Sequence, residues 1–169
     1  MEGLRPGIRI GGMAIRKLYF AYGSNLSEEQ MGHRCPGAKL IGAAILKGYH
    51  IAFTFYSRRW RGGCADIVRD SESEVWGLIY SLTGKDLLRL DMCEGHPDHY
   101  RRIEVEVAPR GGKRAERVLT YEVVSRGEFP PTEEYLGIMT AAAEKHGFPE
   151  AYREILRSVR TAPEEDREE

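Results

Sequence analysis

Two groups of residues in this 169-residue sequence have the types and the spacing that anion binding and acid–base chemistry require. The first is the segment 22–25, with the sequence Tyr-Gly-Ser-Asn, which follows a short apolar run and precedes a helix start. Gly23 permits backbone angles that other residues avoid, so the amides beside it can turn toward a ligand. Amides ahead of a helix start bind anions. We therefore expect this segment to hold a carboxylate or a developing oxyanion, and an ordinary strand-to-helix turn is the alternative.

Glu94 is the second candidate, as a general base. In the predicted helix 84–93 and the residue after it, Leu87, Leu90 and Glu94 fall at i, i+3 and i+7, so Glu94 belongs to the apolar stripe and should point inward. Burial disfavours the ionised carboxylate, and the negative end of the helix dipole acts in the same direction, so both raise its pKa. A carboxylate with a raised pKa suits proton transfer near neutral pH. The alternative is a frayed helix end in water.

A third hypothesis makes Cys93 a nucleophile with His96 or His99 as its base. Adjacent helical residues point about 100° apart, so Cys93 and Glu94 cannot both face one pocket squarely. The segment His96-Pro97-Asp98-His99 contains groups that bind metals, but it lacks the regular spacing of a helical metal motif, and a solvated loop is favoured. The three cysteines form no C-x-x-C pair, which fits a reducing compartment.

The elements that must position these residues follow from hydrophobic periodicity and from capping signals. A buried strand is expected at 17–22, and Ser27 with Gln30 forms the pattern of a capping box. Thr83 caps the helix that ends at Gly95. Two amphipathic helices start near Thr132 and Pro149; in the second, Tyr152, Ile155, Leu156 and Val159 share the buried face. Further strands are predicted at 40–46, 49–56, 64–68, 74–81, 103–107 and 117–124, an α+β pattern.

Composition and charge exclude several classes of protein. Apolar residues are 41% and charged residues 30% of the chain, and the net charge is −1. These values are typical of a globular domain and weigh against a nucleic-acid-binding protein. The one basic cluster, at 57–61, is interpreted as a solvated loop. The sequence contains no run long enough to span a membrane, so a cytoplasmic location is expected.

Several motifs together resemble the gamma-glutamylcyclotransferase family, over roughly residues 17–159. The segment 19–26, Tyr-Phe-Ala-Tyr-Gly-Ser-Asn-Leu, is similar to the family signature. The segments 62–67 and 74–77 resemble two of its strands, and 90–95, Leu-Asp-Met-Cys-Glu-Gly, resembles the segment that holds its catalytic glutamate. Pro130 and Pro131, followed by Tyr135, resemble the entry to its C-terminal helix. Cys93 and the segment 96–99 depart from the pattern. They could reshape the leaving-group side of the pocket, so the identity of the leaving group is left undecided.

The resemblance implies a small, partly closed mixed β-barrel with flanking helices. It also implies a reaction, in which the α-amine of a gamma-glutamyl group attacks its own side-chain carbonyl and releases 5-oxoproline. Glu94 would accept the proton, with no metal and no organic cofactor. The substrate-binding positions that it implies are Tyr19, Phe20, Ala21, Tyr22, Gly23, Ser24 and Tyr135. To these the sequence adds Asn25, from the candidate loop, and Tyr100, close to a predicted strand.

The expected organisation is a flexible extension at 1–15, one domain at 16–160 and a charged tail at 161–169. The expected partner is a small gamma-glutamyl compound, with no nucleic acid and no membrane, and a homodimer is left open. Two alternatives to the cyclotransferase also stay open. One is a non-catalytic module on the same fold that binds a small anion or a gamma-glutamyl group, and the other is a hydrolase that depends on Cys93.

Overall fold

The computed structural model describes residues 9–10, 13–14, 16–112 and 114–163. Seven strands lie in these ranges: β1 (Arg9–Ile10), β2 (Met13–Ala14), β3 (Lys17–Ala21), β4 (Lys39–Ser57), β5 (Gly62–Leu82), β6 (Tyr100–Pro109) and β7 (Glu116–Val123). The helices are α1 (Glu28–Arg34), α2 (Gly84–Glu94), α3 (Glu133–Lys145) and α4 (Glu150–Arg157). A 3₁₀ turn, Ser24–Leu26, joins β3 to α1. Most of the predicted extension 1–15 and the end of the tail, 164–169, lie outside the described residues.

The five longer strands close into a barrel in the order β3-β5-β4-β6-β7. Neighbours run antiparallel except for β3 and β7, which pair in parallel at Tyr19 and Leu119 and close the ring. The mixed β-barrel that the resemblance implied is therefore confirmed. Strands β1 and β2 form a separate antiparallel pair.

Strands β4 and β5 form one long hairpin where the sequence predicted four short strands. The predicted breaks at Gly48 and near residue 70 are irregularities of pairing rather than strand ends. Gly48 has a φ of +85°, which a residue with a side chain rarely adopts. The register shifts there, so that Lys47 pairs with Glu74 and Tyr49 with Arg69. A bulge of this kind bends a strand without ending it. The two strands of the long hairpin therefore curve with the barrel wall and lie next to each other in it.

The hydrophobic core contains buried side chains from each of the five barrel strands and from the helices. Phe20, Leu46, Ile67, Leu78, Val107 and Val118 come from the barrel strands, and Leu90, Met139 and Leu156 come from helices α2, α3 and α4. Helix α4 departs from its predicted face, because Ile155 is 50% exposed and Val159 lies beyond the helix end. Only Tyr152 and Leu156 of the four predicted positions are buried, since α4 ends at Arg157 after about two turns.

Helix α2 follows the predicted capping signals closely. Thr83 Oγ1 accepts from the Asp86 amide while the Asp86 carboxylate accepts from the Thr83 amide, a complete capping box. At the other end Gly95 takes the left-handed conformation, with φ 64°. Of the helices in the described ranges, none has the length and apolar character needed to cross a membrane.

Candidate active site

Glu94 is the last residue of α2, and its side chain is turned inward. Leu87 and Leu90 on the same stripe are buried, and the Glu94 side chain is 16% exposed. The i, i+3, i+7 spacing that predicted this orientation is therefore realised. The left-handed Gly95 ends the helix directly after Glu94, so this carboxylate lies at a fixed helix end rather than a frayed one.

Burial raises the pKa of Glu94, and two neighbours partly offset that effect. The Arg34 guanidinium lies 3.6 Å from Glu94 Oε1 and lowers the pKa by charge attraction. Asn25 Nδ2 donates to the same oxygen at 3.0 Å and lowers it further. Desolvation remains the largest effect, so the pKa stays above the ordinary range of a glutamate. The carboxylate is thus a stronger base than an exposed one.

The side chain of Asn25 joins the candidate loop to Glu94. Asn25 is 4% exposed, and its amide nitrogen donates to both Tyr19 Oη and Glu94 Oε1. Its amide oxygen accepts from Gln30 Nε2 and from Arg34 Nη1. Because the acceptors and donors around it are different, the orientation of the amide is fixed. The loop and the carboxylate therefore form one hydrogen-bonded unit.

Gly23 lies where a side chain would not fit. A Cβ placed on it would stand 2.9 Å from Tyr135 Oη and 3.0 Å from Ala65 Cβ. Tyr135 comes from α3, and its hydroxyl accepts from the Ala65 amide at 3.0 Å, so the helix is docked against both the loop and β5. The glycine is needed here for close approach of the backbone to Tyr135.

A cavity of about 310 Å³ lies between this loop, Glu94 and the barrel mouth. Of the residues predicted from the sequence, the following line it: Tyr19, Tyr22, Gly23, Ser24, Asn25, Glu94, Tyr100 and Tyr135. A volume of this size is at the lower end of small-molecule sites. The structure thus brings together the two features that the sequence analysis placed apart in the chain.

Two predicted substrate-binding positions, Phe20 and Ala21, do not line this cavity. Both are fully buried in the barrel, and Phe20 packs against Gly77 of the neighbouring strand. Phe20 follows Tyr19 on a strand, where successive side chains point to opposite faces. Ala21 lies with its backbone carbonyl close to Gly77. Both residues therefore pack within the barrel rather than in the lining of this cavity.

The cavity also contains residues that the sequence analysis missed or assigned to solvent. Arg34 lines the cavity and contacts Glu94. Gln30 does not line it, but its side-chain amide donates to Ser24 Oγ, while its backbone amide donates to Ser27 Oγ as the capping signal predicted. The i, i+4 spacing of Gln30 and Arg34 on α1 was an available signal that both face the loop. Ser57 and Trp60, from the basic segment taken as a solvated loop, line the cavity because the tip of the β4–β5 hairpin folds over its mouth.

The tyrosines around the cavity stay protonated. Burial raises the pKa of Tyr19, Tyr22, Tyr100 and Tyr135 well above that of an exposed phenol. Tyr100 donates to the Ala65 carbonyl at 2.8 Å, and Tyr22 donates to the Tyr121 carbonyl at 2.6 Å. Tyr19 Oη accepts from Asn25, so its own proton can be donated to a ligand.

The structure places Cys93 and His99 in the lining of the cavity and leaves His96 outside that lining. Cys93 is exposed and lines the mouth. His96 Nδ1 accepts from the Arg102 amide at 3.1 Å, and the His99 ring contacts Phe55. Within the residues described, no three His, Cys, Asp or Glu side chains are grouped as a metal site would require.

Several known proteins that are similar to this chain are named gamma-glutamylcyclotransferases. Residues 74–156 match the model of the AIG2-like family. Gamma-glutamylcyclotransferases of Mus musculus and Homo sapiens are 33% and 34% identical to it over 147 residues, which cover 84% of this chain and 78% of each relative. A solved structure titled gamma-glutamyl cyclotransferase superposes with a TM-score of 0.83 at 31% identity, over 90% of this chain and 96% of that one.

Proposed function

This chain belongs to the gamma-glutamylcyclotransferase family, and from that premise we propose that it releases 5-oxoproline from a small gamma-glutamyl compound with Glu94 as proton acceptor and donor. The observation that carries the proposal is the hydrogen bond between Asn25 and Glu94. It places the carboxylate and the segment 22–25 on one cavity wall. A base and an anion-binding turn at a single cavity are what an intramolecular acyl transfer needs.

The proposed reaction begins with proton removal. The α-amine of the substrate is an ammonium ion at neutral pH, and Glu94 takes one of its protons. The nitrogen lone pair then forms the ring C–N bond to the γ-carbonyl carbon, and the carbonyl oxygen becomes an oxyanion. The raised pKa of Glu94 favours the first transfer, because it brings the carboxylate closer in basicity to the amine.

Collapse of this intermediate uses the same side chain in the opposite direction. Protonated Glu94 donates to the leaving nitrogen, the original amide C–N bond breaks, and the oxyanion returns to a carbonyl. The ring nitrogen still holds one proton more than a neutral lactam. That proton passes to the Glu94 carboxylate and then to the released amine or to solvent. The products are 5-oxoproline and a free amino acid or amine.

The segment 22–25 is proposed to bind the carbonyl oxygen as charge builds on it. Removing one such donor typically costs about 3 kcal/mol of transition-state stabilisation. Tyr19, Tyr22, Ser24, Tyr100 and Tyr135 surround the same space and would hold the glutamyl chain in the bent conformer. Since ring closure is intramolecular, holding that conformer is a main source of rate.

The non-catalytic binding module is disfavoured by Glu94 itself. A site that only held an anionic ligand would gain nothing from a second, partly buried carboxylate beside that ligand. The Cys93 hydrolase is disfavoured by position, because Glu94 and not Cys93 bonds to the loop. Both alternatives are distinguished by the same experiment.

Purified protein is incubated with gamma-glutamyl-alanine and with a gamma-glutamyl amine, and 5-oxoproline is measured by mass spectrometry. The native protein should form it, Glu94→Gln should lose at least about 100-fold in kcat/KM, and Cys93→Ser should keep most of its activity. Glu104→Gln is the matched control, since Glu104 is exposed on β6 and pairs only with Arg117 among the described residues. Full activity in Glu94→Gln would remove Glu94 from the mechanism, and calorimetric binding of 5-oxoproline without turnover would favour the binding module.

A further inference from the structure

A second cavity adjoins the first and shares four lining residues with it. It has a volume of about 640 Å³ and lies between α1, α2 and the tip of the β4–β5 hairpin. Arg34, Arg59, Met92 and Cys93 line both cavities. A substrate held against the segment 22–25, with its scissile nitrogen at Glu94, would therefore extend past Cys93 and Met92 into this second space.

The lining of the second cavity is cationic. Three arginines, Arg34, Arg59 and Arg89, face it together with His33, and Glu29 is its one acidic residue among those described. Arg34 is already engaged with Glu94 and Asn25. Arg59 and Arg89 form no ion pair with any carboxylate in the described part of the chain.

Arg59 is held at the junction of the two cavities by an aromatic contact. Its guanidinium lies 5.8 Å from the centre of the Trp60 ring, and Trp60 packs edge-on against Tyr135 of the first cavity at 5.2 Å. A guanidinium placed over a ring keeps its hydrogen-bond donors free at the edge. Arg59 is thus oriented without losing its capacity to bind a carboxylate.

We propose that this second cavity is a leaving-group subsite in which Arg59 and Arg89 bind a carboxylate, so that the enzyme accepts gamma-glutamyl peptides whose negative charge lies beyond the first residue after the scissile amide. The inference rests on the proposed function and extends it to a substrate class. The charge selects an anionic leaving group over an amine, since arginine pairs with carboxylate through two parallel bonds. The second cavity is about twice the size of the first, which leaves room for a peptide rather than a single residue.

The test compares two substrates that differ only in terminal charge. Gamma-glutamyl-alanyl-glycine with a free carboxylate and the same peptide as its C-terminal amide are assayed for 5-oxoproline. The native enzyme should prefer the acid by about tenfold in kcat/KM, as expected for one charged hydrogen-bonded contact. Most of the preference should lie in KM and should weaken with added salt. Arg59→Gln and Arg89→Gln should each bring the acid-to-amide ratio toward one.

Arg117→Gln serves as the matched control, because Arg117 is an exposed arginine on β7 that is paired with Glu104 and lines neither cavity. It should leave the ratio unchanged. Equal kcat/KM values for acid and amide in the native enzyme, or an unchanged ratio in both cavity variants, would overturn the proposed subsite while gamma-glutamyl-alanine turnover still upheld the proposed function.

If no gamma-glutamyl compound were turned over, the proposed function would fail and the subsite would be judged by binding alone. Calorimetry of Glu94→Gln with the two peptides gives that measurement without catalysis. Tighter binding of the acid than of the amide, lost in the double variants Glu94→Gln with Arg59→Gln or Arg89→Gln, supports the cationic subsite. Equal binding of the two peptides would reject it.

Discussion

Asn25 Nδ2 donates a 3.0 Å hydrogen bond to Glu94 Oε1, across 69 positions of sequence. The same nitrogen bonds to Tyr19 Oη, and the amide oxygen is held by Gln30 and Arg34. The amide nitrogen of Asn25 thus donates two hydrogen bonds and its oxygen accepts two, so the side chain cannot be flipped without losing them. The ionised form of Glu94 therefore depends on a donor that belongs to the turn, which couples the base to the anion-binding loop.

Replacing that donor with an acceptor should weaken catalysis more than folding. Asn25→Asp keeps the shape of the side chain but puts a second carboxylate beside Glu94, and like charges raise the pKa of a carboxyl group. We expect kcat/KM at neutral pH to fall by about 10- to 100-fold, with the acidic limb of the pH–rate profile moved to higher pH. Ser125→Asp, which adds the same charge at an exposed turn, should leave the profile in place. An unshifted limb in Asn25→Asp would mean that Glu94 does not set it.

The buried carboxylate should also make stability depend on pH. Burial raises the pKa of Glu94 in the folded state, so the folded protein binds the proton more tightly than the unfolded chain. This contribution to stability is fully present below the unfolded pKa and is lost as pH rises through the folded pKa. The loss is about 1.4 kcal/mol for each pH unit that separates the two pKa values.

Glu94→Gln removes this titration, so the variant should gain stability relative to the native protein as pH rises. We expect the difference in Tm, variant minus native, to increase from pH 4 to pH 8 in thermal unfolding followed by circular dichroism. Glu104→Gln, whose side chain is exposed, should show a difference that is flat over the same range. A difference that shrank toward pH 8 would contradict a raised pKa at Glu94.

The sequence was sufficient for the parts of the site that depend on local signals. Thr83, Gly95 and the spacing of Leu87, Leu90 and Glu94 predicted both the bounds of α2 and the inward carboxylate. Capping and periodicity are properties of neighbouring residues, so they are visible without tertiary structure. The barrel itself followed from the family resemblance, because strand order and closure are set by contacts distant in sequence.

The residues that escaped prediction are those whose position is decided by tertiary contacts. Trp60 lies at a hairpin tip between two arginines, and local composition gives no reason for it to reach Tyr135. Gln30 donates its backbone amide to Ser27 Oγ, which confirms the predicted cap, yet its side-chain amide bonds to Ser24 and Asn25 instead of completing the capping box. The break at Gly48 was a real irregularity, but whether a break ends a strand or only bends it depends on the partner strand.

Gly23 offers a test of the docking between the loop and α3. A methyl group at this position would meet Tyr135 Oη at 2.9 Å and Ala65 Cβ at 3.0 Å. Gly23→Ala should therefore cost about 1–3 kcal/mol of stability by overpacking and lower kcat/KM by displacing the loop. In a Tyr135→Phe background the hydroxyl is absent, so the cost of Gly23→Ala should be smaller. A double-mutant cycle by urea unfolding measures that coupling.

The control for this cycle is Gly137→Ala, in the interior of α3. A Cβ there has nothing within 4 Å, and alanine favours a helix over glycine. This variant should be stabilised by up to about 1 kcal/mol, independently of Tyr135→Phe. Additive effects of Gly23→Ala and Tyr135→Phe would show that the loop does not depend on contact with the tyrosine hydroxyl.

Asp66 is fully buried in β5. It follows Ala65, whose backbone bonds to the cavity tyrosines Tyr100 and Tyr135. Its carboxylate accepts from Thr54 Oγ1 at 2.8 Å, from the amides of Ile67 and Val123 at 2.8 and 3.0 Å, and from Arg126 Nε at 2.7 Å. Asp66→Asn replaces one acceptor oxygen with a donor, so that a buried amide group faces donors, and it leaves Arg126 with Glu122 as its charge partner. Arg126 is 39% exposed, so loss of the ion pair is screened by water. The larger cost is the buried donor left without an acceptor, about 1–3 kcal/mol.

We therefore expect Asp66→Asn to lower the free energy of unfolding by about 2 kcal/mol in urea titrations, while Glu104→Gln, in an exposed pair, changes it by less than about 0.5 kcal/mol. Ala65 lies directly before Asp66 and bonds to Tyr100 and Tyr135. Movement of this strand should consequently raise KM for gamma-glutamyl-alanine as well, and Asp66→Glu should not restore it, since the longer side chain cannot fit the same four donors. Native stability in Asp66→Asn would show that the buried carboxylate is not what fixes β4, β5 and β7 together beneath the cavity.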